Sequence, residues 1–251
     1  MSEVLISTND SISVLTLNRP DKRNALNDAL IDGLKSALRE ADADHSVQAI
    51  VIRGAGNDFC SGADLSSLQK IALASFEENI EDARSLAELF LLIRNVKVPV
   101  IAAVHGRALA GGCGLATACD LVLATKTARF GYPEVKIGFV PAMVAAILRR
   151  NLGEKKSFEL LTQGFEYSAE EAVKLELVNR TFDEEDFDAA VLEYANVYTK
   201  VSRSAVEMTK QLLYSIDAEK IDDAIEKGVI TNAKARMTDD CQRGIAKFLE
   251  K

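Results

Sequence analysis

A glycine-rich stretch that follows a run of apolar residues constrains the fold of this chain more than any other feature. The apolar run covers residues 98–104, and residues 106–114 read Gly-Arg-Ala-Leu-Ala-Gly-Gly-Cys-Gly. This pattern predicts a buried strand, a tight turn and then a closely packed helix start, and such a turn leaves backbone N–H groups free to point at a ligand. A second apolar run, residues 49–53, leads into a similar loop at residues 54–64. Two strand-to-loop elements could therefore present donors to one developing negative charge.

The composition and charge exclude several classes of protein. The chain has 251 residues, of which 48% are hydrophobic and 27% charged, as is typical of a globular protein with one large or two small domains. The net charge of −8 and the lack of a Lys/Arg-rich run argue against nucleic acid as a partner. We find no apolar stretch near the ~20 residues needed to span a bilayer and no signal-peptide core. We therefore expect a soluble, cytoplasmic protein with no membrane partner.

The cysteines and histidines form no recognisable catalytic or metal-binding motif. A nucleophilic cysteine needs a base, usually histidine, and a zinc site needs a cluster of ligands. The two histidines, His45 and His105, lie in no such cluster, and the cysteines show no C-x-x-C spacing. We therefore expect no metal site and expect the thiols to be small apolar fillers. The cysteines are Cys60, Cys113, Cys119 and Cys241.

Hydrophobic periodicity predicts the elements near the N-terminus. The segments Val4–Ser7 and Ile12–Leu17 have an alternating pattern typical of paired strands, which predicts a hairpin with Asn9-Asp10 as its turn. A helical pattern then begins near Ala25, with Asn24 as the expected cap, and a further pattern predicts one long helix over residues 65–95.

Glycine and proline become rare towards the C-terminus, where helical patterns dominate. The change predicts a body of repeating β-β-α units over residues 1–190 and a helical region over residues 191–251. The overall expectation is an α/β fold.

The glycine-rich loops do not match the phosphate-binding motifs. A P-loop needs G-x-x-x-x-G-K-[ST]. Gly106 and Gly111 have the required spacing, but Gly-Cys follows Gly111 in place of Lys and Ser or Thr. A dinucleotide fingerprint needs G-x-G-x-x-G, and both loops lack its third glycine. What remains is an oxyanion hole, in which two fixed N–H donors stabilise a thioester oxygen as the α-proton leaves. Glu134, flanked by apolar residues, is a candidate base, although its local sequence also fits an exposed loop glutamate.

Several short motifs occur in order along the chain. They are Asn18-Arg-Pro with Arg23-Asn-Ala-Leu26, Phe59-Cys-Ser-Gly-Ala-Asp-Leu65, Val104-His-Gly with Gly111-Gly-Cys-Gly-Leu115, and Phe130-Gly with Pro133-Glu134. Each is weak alone, but together they resemble the enoyl-CoA hydratase/isomerase (crotonase) family almost end to end. The resemblance implies a crotonase-like spiral of β-β-α turns with a C-terminal helical trimerisation region. It also implies homotrimers, often paired into hexamers, an acyl-CoA thioester substrate, and no cofactor beyond its CoA moiety.

The resemblance also assigns candidate roles to individual residues. It implies that the N–H groups of Ala63 and Gly111 form the oxyanion hole and that Glu134 is the acid–base residue. Lys22 and Arg23 would suit anionic phosphates, although a solvated turn explains them equally well. The implied CoA site includes Lys22, Arg23, Ala25, Asp64 and Leu65.

The chain departs from the family's hydratases at one position. Those hydratases generally use two glutamates to hold and activate water; one matches Glu134, and the other matches Gly114. A glycine cannot orient water or transfer a proton, so we expect weak hydration. A single carboxylate can shuttle a proton between C4 and C2 of an enoyl thioester, as in the Δ3,Δ2-enoyl-CoA isomerases of the family. The sequence therefore predicts double-bond isomerisation with Glu134 as the shuttle.

Other functions stay open at this stage. A hydratase would need another carboxylate, for which Asp64, Glu78 and Glu81 are candidates. Decarboxylation or C–C cleavage would need an oxyanion hole and a proton donor such as His105 or Tyr132. The chain could also be a member of the family that binds acyl-CoA without turning it over.

Overall fold

Two sheets organise the part of the chain that the computed structural model describes, which is residues 2–64, 67, 73–216, 228–230, 232, 234, 239 and 243. The strands are β1 (Val4–Asn9), β2 (Ile12–Leu17), β3 (Ala49–Gly54), β4 (Val100–Val104), β5 (Arg107–Leu109), β6 (Leu121–Thr125), β7 (Arg129–Gly131), β8 (Glu166–Ser168) and β9 (Arg180–Phe182). The larger sheet has the order β1-β2-β3-β4-β6-β9 and is parallel except between β1 and β2. The smaller has the order β5-β7-β8.

Helices cover both faces of the larger sheet. The helices are α1 (Asp28–Ala43), α2 (Phe76–Asn95), α3 (Gly111–Ala118), α4 (Ala142–Asn151), α5 (Glu154–Gln163), α6 (Ala169–Lys174), α7 (Phe187–Ala195) and α8 (Arg203–Ser215). Alternate residues of the central strands face two separate cores. One core contains residues of α1, α2 and α3, and the other contains Phe187, Val191 and Ala195 of α7. A strand buried on both faces reads as a continuous apolar run, which explains residues 98–104.

The N-terminal hairpin is confirmed, but the predicted start of the first helix is wrong. Strands β1 and β2 pair antiparallel, and Asp10 of their turn has a φ of 50°. The helix begins at Asp28, because Asn27 is the cap and its side chain accepts a hydrogen bond from the N–H of Leu30 at 2.9 Å. Asn24 is instead buried, with a φ of 53°, and its amide donates to the carbonyls of Ala55 and Asp58.

The prediction of one helix over residues 65–95 is also corrected. Helix α2 begins at Phe76, where the Ser75 hydroxyl and the Glu78 carboxylate form a capping box. This S-x-x-E signal is visible in the sequence and marks a helix start. Residues 65, 66 and 68–72 lie outside the described residues.

The C-terminal part of the chain is described in part. Helix α7 spans residue 190 and packs on the sheet, and α8 follows it. Most of residues 217–251 lie outside the described residues, so the division into residues 1–190 and 191–251 stays a prediction. Within the described ranges, no helix combines the length and the apolar character that crossing a membrane requires.

Candidate active site

A cavity of about 380 Å³ brings together the residues that the sequence singles out for chemistry. Ala63, Gly111, Gly114 and Glu134 all line it. The rest of its wall is largely apolar and includes Leu26, Leu86, Phe90, Ile137, Val140 and Met143. An apolar cavity with a few convergent polar groups is the usual form of a small-molecule site.

The first candidate donor is held by a short stretch of backbone pairing. The N–H of Leu26 donates to the carbonyl of Gly62 at 2.7 Å, and the N–H of Asp64 donates to the carbonyl of Leu26 at 2.9 Å. Because both bonds run to Leu26, the N–H of Ala63 between them faces the other way. It donates to no acceptor among the described residues. The loop therefore offers this N–H to the cavity that Ala63 lines.

The second candidate donor lies at the start of helix α3. The first N–H groups of a helix have no acceptor within it, and here the first internal bond joins the N–H of Gly114 to the carbonyl of Ala110 at 2.9 Å. Ala110 has a φ of 49° and a ψ of −126°, a conformation that glycine adopts far more readily than alanine. This strained residue sets the direction of the N–H of Gly111.

The two donor loops lie against each other. The N–H of Cys60 donates to the carbonyl of Arg107, and the N–H of Leu109 donates to the carbonyl of Cys60, each at 3.0 Å. A Cβ atom built on Gly62 would lie 2.8 Å from the Cβ of Ala110 and 3.6 Å from the nitrogen of Gly111. Gly62 also has a φ of 100°, so this close approach needs glycine.

Glu134 lies in a short 3-10 helix, Pro133–Ile137, on the cavity wall. Its side chain is half-buried, and Oε2 is buried with no hydrogen-bond partner among the described residues. Burial raises the pKa of Glu134 above its usual range, although a hydrogen bond from its own backbone N–H opposes the shift. The result is a carboxylate with increased proton affinity and a free oxygen, as general acid–base chemistry requires.

Tyr132 links the Glu134 turn to helix α3. Its hydroxyl lies 2.7 Å from Oγ1 of Thr117, which also donates to the carbonyl of Cys113 at 2.8 Å. Burial raises the pKa of Tyr132 well above its usual range. Tyr132 and His105 are absent from the described residues that line the cavity.

Burial keeps the thiols of the donor loops neutral. It raises the pKa of Cys60 to about 12 and that of Cys113 to about 11. Cys119 is also buried, and burial raises its pKa further. Nucleophilic thiols need a lowered pKa, so the three side chains fit the expected role of small fillers. Cys241 lies outside the described residues.

The carboxylates considered as a second acid form other contacts. Asp64 pairs with Arg19 at 2.8 Å, Glu78 belongs to the capping box of α2, and Glu81 pairs with Arg84. None of these three lines the cavity that contains Glu134, judged over the described residues.

Two other carboxylates, Asp28 and Asp82, do line the cavity, and the sequence analysis missed them. Asp82 precedes Leu86 and Phe90 at four-residue steps on α2, and all three face the cavity. The i, i+4, i+8 spacing is the signal that could have placed Asp82 on the same helix face.

The residues proposed for CoA lie in the turn that supports the Ala63 loop. Lys22 and Arg23 are exposed, and Ala25 is buried beside them. The guanidinium of Arg19 joins this turn to the loop, because it bonds both the carbonyl of Ala25 and the carboxylate of Asp64. Leu65 lies outside the described residues, and the CoA contacts stay predictions. A search of the described residues finds no His/Cys/Asp/Glu cluster suited to a metal ion.

The comparisons with known proteins agree with this geometry. A family model described as enoyl-CoA hydratase/isomerase matches residues 7–251. A protein of Thermus thermophilus, whose name assigns it provisionally to the enoyl-CoA hydratases, is 39% identical over 240 residues, which cover 96% of this chain and 95% of the relative. The 2,3-dehydroadipyl-CoA hydratase of Escherichia coli is 34% identical over 254 residues, covering 100% and 97% of the two chains.

The structural comparison extends over nearly all of both chains. The crystal structure of an enoyl-CoA hydratase from Mycobacterium smegmatis matches with a TM-score of 0.94 and 34% identity, covering 99% of this chain and 96% of that one. Sequence and structure together show that the chain belongs to the enoyl-CoA hydratase/isomerase family and has the crotonase fold.

Proposed function

We propose that this family member moves the double bond of an enoyl-CoA thioester, with Glu134 as the proton shuttle. In a 3-enoyl-CoA, the Glu134 carboxylate takes a proton from C2 and the electron pair delocalises onto the thioester oxygen. The N–H groups of Ala63 and Gly111 stabilise that oxygen, each by about 3 kcal/mol in favourable cases. Glu134 then returns the same proton to C4, and the double bond moves from C3=C4 to C2=C3. Atoms and charge balance without water or a cofactor.

One feature carries the choice of isomerisation: by its resemblance to the family, Gly114 matches the position of the hydratases' second glutamate, and it lines the same cavity as Glu134. Activating a water molecule needs a group to orient it and a group to exchange protons with it, whereas a shuttle needs one carboxylate. The free oxygen and raised pKa of Glu134 support the shuttle, because the group must accept and release a proton within one turnover.

Hydration is the second candidate, and two observations favour it. The relatives named above carry the names of hydratases that act on CoA thioesters, and Asp82 and Asp28 also line the cavity. A hydratase that uses Asp82 as its second acid would hydrate a 2-enoyl-CoA and would lose that activity in Asp82→Asn.

A panel of acyl-CoA substrates tests the proposal. Purified protein is given a 3-enoyl-CoA and, separately, a 2-enoyl-CoA, and the mass and double-bond position of each product are measured. Isomerisation of the 3-enoyl-CoA with no change of mass supports the proposal. A product heavier by one water, with no isomerisation, would favour hydration. Tight binding in calorimetry with no product from any substrate would identify a non-catalytic acyl-CoA-binding protein.

Assembly and location complete the proposal. We propose that the protein acts in the cytoplasm as a homotrimer or as a hexamer made of two trimers. In this view residues 191–251 form the oligomerisation region, and the turn with Lys22 and Arg23 holds the CoA phosphates. Sedimentation of the full chain and binding of CoA to charge-reversed variants of the two cations would test these parts separately.

A further inference from the structure

Helix α2 places an aromatic ring over the position that lacks the second acid. A Cβ atom built on Gly114 would lie 2.9 Å from Cζ and 3.2 Å from Cε2 of Phe90, and 3.6 Å from Cβ of Val144. Real Cβ atoms do not approach carbon as closely as 2.9 Å, so even alanine at residue 114 would force the ring to move. A glutamate at residue 114 would meet the same obstacle at its Cβ.

The ring of Phe90 lies in the buried, C-terminal half of α2. Phe90 is 3% exposed, and its neighbours Leu89 and Ile93 are fully buried. One turn earlier on α2, Cδ2 of Leu86 would lie 4.0 Å from a Cβ built on Gly111. The same face of α2 thus packs against both Gly111 and Gly114 of α3.

The corner between Phe90, Val144 and Gly114 contains apolar side chains and a glycine. A water molecule is held in a protein interior when it finds about three hydrogen-bond partners. Neither Phe90 nor Val144 can supply one, and the N–H of Gly114 already donates to the carbonyl of Ala110. A water molecule in this corner would have too few partners to be held for attack on the substrate.

We propose that Phe90 is a specificity-determining residue. Its ring fills the space of the second acid and excludes water from this side of the enoyl group. The site therefore favours isomerisation, in which the enolate takes a proton at carbon, over hydration, in which the enoyl thioester adds water. The inference deepens the proposed isomerase function and rests on it. It identifies the coupled pair of Phe90 and Gly114, rather than Gly114 alone, as the feature that separates the two reactions.

The test restores the missing acid with and without room for it. Four proteins are compared: the wild type, Gly114→Glu, Phe90→Ala, and the double variant Phe90→Ala/Gly114→Glu. Each receives a 2-enoyl-CoA in water, and 3-hydroxyacyl-CoA is measured by its added mass of one water. We expect hydration at least about 10-fold above the wild type in the double variant and no such gain in Gly114→Glu. The matched control is Phe90→Ala/Gly114→Gln, which has the same shape without the acid and should not gain hydration.

The outcomes separate this inference from the proposed function. An equal gain in Gly114→Glu and the double variant would overturn the inference, since the ring would not be an obstacle. A folded double variant that shows no gain would also overturn it. Isomerisation of a 3-enoyl-CoA by the wild type is measured alongside, because its absence removes the proposed function even if the double variant hydrates.

A second measurement covers variants that fail to fold. Gly114→Ala is made in the wild type and in the Phe90→Leu background, and the thermal midpoint of each protein is determined. We expect Gly114→Ala to lower the midpoint in the wild type and to have a smaller effect in the Phe90→Leu background. Equal losses in the two backgrounds would show that residues 90 and 114 are not coupled and would overturn the inference.

Discussion

Two buried charged groups in this protein have opposite surroundings. Lys210 of α8 is 8% exposed, and its ammonium donates to the carbonyls of Ile93 and Val98 at 3.1 Å and to Asp120 at 2.7 Å. Asp120 also accepts a hydrogen bond from the N–H of Val100 at 2.7 Å. Glu134 is half-buried, and one of its oxygens is buried with no partner among the described residues.

The difference shows which buried charge serves the fold and which is available for chemistry. A buried ion is stabilised when every donor and acceptor finds a partner, and Lys210 fills its three donor positions in this way. Burial lowers the pKa of Lys210 even though Asp120 opposes the shift. A carboxylate oxygen that accepts no hydrogen bond in an apolar cavity destabilises the folded protein and raises the proton affinity of the group.

The largest effect is expected from Glu134→Gln. The amide keeps the shape of the side chain but cannot take a proton, so isomerisation should fall by about 10²- to 10⁴-fold while the fold is kept. The measurement is kcat/KM with a 3-enoyl-CoA, together with the thermal midpoint. The control is Glu185→Gln, which changes an exposed carboxylate and should leave both values unchanged. Full activity in Glu134→Gln would show that another group moves the proton.

The second prediction removes the cation of the satisfied pair. Lys210→Met keeps most of the side-chain volume but removes the cation from Asp120, which keeps only its neutral donors, the N–H of Val100 and the hydroxyl of Tyr214. We expect a loss of about 3–5 kcal/mol in the free energy of unfolding. Chemical denaturation measures the loss, and Lys200→Met, at an exposed lysine, is the control. If the two variants were equally stable, the pair would not hold α8 to the sheet.

The third prediction concerns pH, where Glu134 should act on activity and stability in opposite directions. Because the pKa of Glu134 is raised, its carboxylate ionises at a higher pH than an ordinary glutamate. The ionised form is the base, so kcat/KM should rise as the pH passes through this raised pKa. A carboxyl whose folded pKa is raised contributes stability that is full below its unfolded pKa and is lost as pH rises through the folded pKa. The advantage in thermal midpoint of Glu134→Gln over the wild type should therefore grow with pH across this window and then level off. An advantage that is the same at every pH would contradict the raised pKa.

The sequence predicts which residues line the cavity better than it predicts how they pack. The glycine-rich turns are recognisable because their glycines are consecutive or nearly so in the sequence. Glu134 is recognisable because it belongs to a short local motif. The choice between Asn24 and Asn27 as helix cap is not local, since both residue types suit a cap and the contacts of Asn24 with residues 55 and 58 decide it. The contact between Phe90 and Gly114 and the pairing of Lys210 with Asp120 join distant parts of the chain. No periodicity could show them.

The smallest effect is expected from Ala110→Gly, which tests whether backbone strain beside the candidate active site also lowers the stability of the protein. Ala110 is held at a φ of 49° and a ψ of −126°, and strain of this kind costs on the order of 1–3 kcal/mol. Glycine removes the strain but adds about 0.5–1 kcal/mol of backbone entropy to the unfolded chain, so we expect a net gain in stability of roughly 1 kcal/mol. The same change loosens the residue that aims the N–H of Gly111, so kcat should fall while KM changes little. Ala146→Gly, at an exposed position in the middle of α4, is the matched control and should lose stability by about 1 kcal/mol, because a helix interior disfavours glycine. If both variants lost stability alike, the backbone at Ala110 would be unstrained.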